Sequence, residues 1–167
     1  MVPPGKFPVL RGADPRRRLK GRGPVPVYRG TKEAGNSLVG AERRLLAGDV
    51  IMIFPEGTLS RDPLLWPMVG KTGAARLAMR TGARLLPMGQ WGAQDILDSY
   101  GGGFHPLPRK DVRVVIGETF TLDSFGTDIE DRAAVRAATA EIMRRITVLV
   151  EEIRGEKAPR PYDMHYD

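Results

Sequence analysis

The chain has 167 residues, no cysteine and only two histidines, His105 and His165. Without a thiol there can be no disulfide framework, no thiolate metal centre and no cysteine nucleophile. Long apolar runs are also missing. Stretches such as Val50 to Phe54 fall far below the roughly 18 residues that cross a bilayer, and the first residues lack the apolar core of a secretory signal. Membrane contact is therefore expected to be peripheral. No aromatic residue lies among Arg16, Arg17, Arg18, Lys20 and Arg22. That basic stretch lacks a stacking platform for single-stranded nucleic acid, and no nucleic-acid partner is expected.

What is present is a hydrophobic content of 41%, enough to bury the core of one domain. The formal charge of +6 is uneven: residues 1–30 hold eight Lys/Arg against Asp14 alone, so the rest of the chain is close to neutral. Such a segment suits an anionic surface, and it is equally a solvated arm. The pattern divides into a basic arm (1–23), an α/β domain (24–154) and a loose tail (155–167).

Short β-like runs alternate with helix-period segments from residue 24 onward, which predicts a mostly parallel sheet flanked by helices. Strands are expected near Val25 to Tyr28, Val50 to Phe54, Arg84 to Met88 and Val112 to Ile116. Ala34, Leu38, Ala41 and Leu45 recur at helical spacing after a Thr31 cap, with Gly48 as the stop. A second helix is expected from Thr72 to Arg80, ending at Gly82, its small residues suited to close packing. Three glycines and two prolines make Tyr100 to Pro108 irregular. The last helix should start at a Thr127/Glu130 capping box and present Val135, Ile142, Ile146, Leu149 and Ile153 as one apolar stripe.

Two phosphate-binding patterns fail. "GKT" at Gly70 to Thr72 lacks the upstream glycine of a P-loop, since Leu65 stands there, and the third glycine of a dinucleotide fingerprint begun at Gly21 and Gly23 would fall on Pro26. The stretch "FPEGTLSRD", Phe54 to Asp62, survives. It leaves the carboxyl end of an expected strand, where ligands collect in open α/β sheets. Gly57 permits close backbone approach, Thr58 and Ser60 offer hydroxyls, and Arg61 offers a guanidinium fork. Glu56 suits a substrate hydroxyl or a neighbouring cation better than a phosphate, which it would repel. Arg29, after "VPVY", and Lys71, at a helix start, add cations to the same mouth. A capped loop with a Glu56 ion pair to Arg61 or Lys71 is the alternative.

"FPEGTLS", with "PVYRG" before it and "GKTGAARLA" and "LLPMGQWG" after it, resembles the glycerolipid acyltransferase family over residues 24–125. The 1-acylglycerol-3-phosphate acyltransferases are the most similar branch. The resemblance implies an acyltransferase-like α/β fold. It also implies that Arg29, Glu56, Gly57, Thr58 and Ser60 hold the glycerol phosphate of a lysophospholipid acceptor, with Lys71 at a basic position beside them and Pro87 in the fourth block. No bound cofactor or metal is implied. The donor would be an acyl-CoA or acyl carrier protein thioester, and the location the cytoplasmic membrane surface at the inner face of the plasma membrane.

That family uses a His-x4-Asp block, upstream of the arginine block, as the general base on the acceptor hydroxyl. Here His105 has Lys110 at the aspartate position and lies downstream, while His165 has too few residues after it. No catalytic dyad is assigned. Two expectations stay open: a chain lacking the family's N-terminal strand and helix along with the dyad, or a short form that binds anionic lipid or phosphate without catalysis. A missing strand and helix would leave apolar surface exposed.

Overall fold

The computed structural model describes residues 34–98 and 103–159. The basic arm, Arg29, Thr31 and the expected strand Val25 to Tyr28 lie outside the described residues. Helix α1 (Ala34–Leu46) runs to a turn at Gly48, whose φ of +85° explains the glycine there. Helix α2 (Gly73–Thr81) ends where the Gly82 amide, at φ +64°, donates to Ala78 O at 2.8 Å. Strands β1 (Met88–Trp91) and β2 (Arg113–Ile116) follow, and helix α3 (Arg132–Arg154) completes the set.

The mostly parallel sheet is not what the described residues form. Their sheet is two-stranded and antiparallel, with Met88 opposite Ile116 and Trp91 opposite Arg113. The segment between the strands explains this. A parallel return needs a crossover, usually helical, and the described residues between the strands, 92–98 and 103–112, supply only a short 3-10 turn at Ala93–Asp95. The strand expected over Arg84 to Met88 shifts to Met88–Trp91, with Leu85 making only an isolated reciprocal pair with Phe120. Val50 to Phe54 forms no strand, since no described segment pairs with it. Val50, Met52 and Phe54 are largely exposed.

The Thr127/Glu130 capping box is likewise corrected. Asp131 caps α3, its Oδ1 accepting from Ala133 N at 2.8 Å and Ala134 N at 3.1 Å. Asp128 draws the Glu130 amide into a local turn at 2.8 Å, a competing bond that keeps the helix from starting earlier.

Helix α3 organises the core. Its Val135, Ala138 and Ile142 pack against Ala74, Ala75, Ala78 and Met79 of α2, with Phe120 and Leu122 closing the cluster. Ala75 and Ala138 are fully buried, so small side chains let the two helices approach closely. The sheet lies on the C-terminal half of α3, and a Cβ on Gly89 would stand 2.7 Å from Leu149 Cβ. Among the described residues one face of the sheet is covered, by α3; Leu86, Met88, Val114 and Ile116 are exposed, as an antiparallel sheet permits.

The end of α3 is fastened by one side chain. The Arg154 guanidinium lies 3.9 Å from the ring centre of Trp66 and 4.2 Å from that of Trp91, and its Nη1 donates to Leu64 O at 2.8 Å. It thereby ties α3, β1 and the loop preceding α2. Replacing Arg154 with alanine is expected to cost about 2–3 kcal/mol in urea unfolding, because two cation–π contacts and a charged hydrogen bond go together. Arg154→Lys should recover less than half, since an ammonium cannot stack between two rings.

Candidate functional site

Residues 55–71 form one closed loop. The Lys71 amide donates to Pro55 O at 2.8 Å, so the ends meet, and the interior is cross-braced by its own side chains. Asp62, buried to 9% exposure, accepts from Leu64 N at 2.9 Å and Trp66 N at 3.1 Å through Oδ1. These bonds hold Leu65 at φ +59°, a left-handed conformation that a leucine adopts only under constraint. Ser60 Oγ donates to Trp66 O at 2.8 Å and accepts from Asp62 N at 3.3 Å. Trp66 and Met68 are almost fully buried beneath the loop.

Glu56 is half-buried, and its Oε2 accepts from Met68 N at 3.1 Å. Burial pushes its carboxyl above the ordinary glutamate range, partly offset by the Met68 amide. Gly57 has φ +67°, and a Cβ there would meet Lys71 Cδ, Cε and Nζ at 3.2–3.3 Å. The lysine side chain therefore lies across the Gly57 backbone, and the positive φ is what favours glycine there, since the flexible lysine tip could yield to a Cβ. Thr58 is half-buried on the same turn.

The loop thus carries Glu56, Gly57, Thr58, Ser60 and Lys71, and brings the last of these onto Gly57. Arg29 lies outside the described residues. Ser60 differs from the others in that its hydroxyl closes the loop from within. Asp62, Trp66 and Met68 carry no motif of their own in the sequence; the Asp-Pro pair at 62–63, a turn signal, is the one local mark of the first. The structure also pairs His105 with an aspartate that no spacing rule indicated: Nε2 lies 3.5 Å from Asp98 Oδ2. Both side chains are about half exposed, where such a pair gains little, and no described contact carries it to the 55–71 loop. Among the described residues no group of three His, Asp or Glu is placed to hold a metal ion, and no helix is long and apolar enough to cross a membrane.

A loop that shelters a carboxylate beside a lysine-covered glycine is a fitting place for a polar ligand, and the comparisons bear on which class. Residues 18–91 match the acyltransferase family model, a span that includes the whole 55–71 loop and ends on Trp91 of β1. This segment is similar to acyltransferases, and the similarity points to acyl transfer as the class of chemistry. No curated protein and no solved structure matches the chain.

The raised carboxyl has a signed consequence. A folded-state value above the unfolded one gives a contribution that is fully present below about pH 4.5 and is lost as pH rises through the folded value. Glu56→Gln keeps an acceptor for Met68 N without the buried charge. It should melt a few degrees above the wild type at pH 7, and the gap should close as the pH falls below 4.5. Thermal unfolding followed by circular dichroism between pH 4 and 8 checks both halves.

Proposed function

We propose that the chain is an acyltransferase of phospholipid synthesis, moving an acyl group from a thioester to the free hydroxyl of 1-acylglycerol-3-phosphate. The observation that carries this reading is the closed 55–71 loop, with Glu56 bonded to Met68 N and Lys71 lying across Gly57, inside the segment similar to acyltransferases. In this reading Lys71 and Arg29 neutralise the acceptor phosphate, and the Gly57 and Thr58 turn receives its oxygens. No described group donates to Glu56 Oε1, which is then available to accept from a glycerol hydroxyl and fix which hydroxyl reacts. Ser60 serves as the brace that keeps the turn in shape. The donor is an acyl-CoA or acyl carrier protein thioester, and the acceptor is met at the cytoplasmic membrane surface, where the arm's positive charge favours anionic headgroups.

A second reading has one specific observation in its favour. Neither histidine carries the His-x4-Asp spacing that would deprotonate the acceptor hydroxyl, and positioning alone would leave a binder of anionic lipid or phosphate.

Radiolabelled palmitoyl-CoA with lysophosphatidate separates the two. Labelled phosphatidate is the expected product, and Lys71→Ala should lower kcat/KM by about 10- to 100-fold, the worth of one charged hydrogen bond. Saturable lysophosphatidate binding without product would establish the binder. Absence of both would sink the phosphate site.

A further inference from the structure

A groove of about 420 Å³ runs between residues 67–70 and one face of α3, within the size range of small-molecule sites. Its floor is the buried pair Met68 and Met143, and its walls include Val69 and Val148, each nearly half exposed. The two threonines that line it present no unmet polar group. Thr139 Oγ1 donates to Val135 O and Thr147 Oγ1 to Met143 O, both at 2.8 Å, so their hydroxyls are spent on the helix backbone. The Thr139 methyl faces Gly70, standing 3.3 Å from where a Cβ would be. Between the charged side chains of Arg136, Arg144 and Glu151 the lining is therefore apolar, and the two methionine side chains can adapt to a chain of variable shape.

The groove has direction. Along α3 it extends from Arg136 to Glu151, about 22 Å of helix axis. At the far end Glu151 is neutralised by Lys157 at 2.7 Å and by the Ala158 amide at 3.0 Å, and residues 158–159 close the groove there. At the near end Arg136 has no ion-pair partner among the described residues, whereas Arg144, midway, is committed to Glu141 at 2.7 Å. Gly70, beside Lys71, lines the same groove, and the floor residue Met68 is the one whose amide Glu56 holds.

We infer that this groove takes the hydrocarbon chain of a single-chain anionic amphiphile, with the head group at the Arg136 and Lys71 end and the chain running toward Val148. A long apolar trough with an available cation at one end and a neutralised carboxylate at the other is complementary to such a molecule and to few others. The placing of the head group rests on the phosphate reading above; the placing of the chain does not.

The test uses protein labelled with ¹³C at its methionine methyls and three probes below micellar concentration: 1-lauroyl-glycerol 3-phosphate, lauric acid and glycerol 3-phosphate. Both lauroyl probes should shift the Met143 signal and leave Met52 and Met88 in place, and glycerol 3-phosphate should leave Met143 unmoved. Ala140→Trp, an exposed helical site on the groove wall, should weaken both lauroyl probes at least about tenfold, and Val148→Asp should do the same. Circular dichroism shows which variant keeps the fold, and the wild-type shifts stand without either. Movement of Met52 or Met88 in place of Met143, or unchanged affinity in a folded variant, overturns the proposal. Equal binding of the two lauroyl probes, indifferent to Lys71→Ala, would retire the phosphate reading while supporting the groove.

Discussion

The bond from Met68 N to the Glu56 carboxylate is the interaction on which the rest of this molecule's site depends. It joins the two limbs of the 55–71 loop across twelve residues of sequence, and everything of chemical interest hangs from one limb or the other. On the first limb stand Gly57, Thr58 and Ser60. On the second, Trp66 receives Arg154, Met68 floors the groove, and Lys71 returns over Gly57. A carboxylate in this position is held at a cost, because burial disfavours its charged form. A neutral amide would brace the loop as well, so the bond to Met68 does not by itself require the charge.

The cross-bracing around that bond also explains how a short loop without helix or strand can be a rigid platform. Asp62 and Ser60 satisfy amides and a carbonyl that would otherwise be stranded beside the buried Trp66. Arg154 then anchors the same tryptophan to the end of α3, making the loop continuous with the core that α3 builds. Binding groups supported in this way lose little entropy when a ligand arrives. The groove along α3 shares this support, since Met68 belongs to both.

The uncovered face of the β1–β2 sheet and the exposed Val50 to Phe54 run give the molecule a second, apolar character. Large exposed apolar areas mark surfaces that meet a partner or a bilayer.

Local chemistry alone determined a good deal. Gly82 ended α2, Gly48 followed α1, the small residues of α2 met α3 as their size allows, and Pro-Glu-Gly-Thr marked the turn that opens the closed 55–71 loop. Each of these rests on φ, side-chain volume or hydrogen bonds between near neighbours, which a sequence displays directly. Strand direction, the idle strand potential of Val50 to Phe54, the reach of Arg154 to Trp66 and Trp91, the approach of Asp98 to His105 and the apolar groove were decided only in three dimensions. A strand needs a neighbour and a cation a ring face, and neither requirement leaves a mark on the residues until the chain has brought them together.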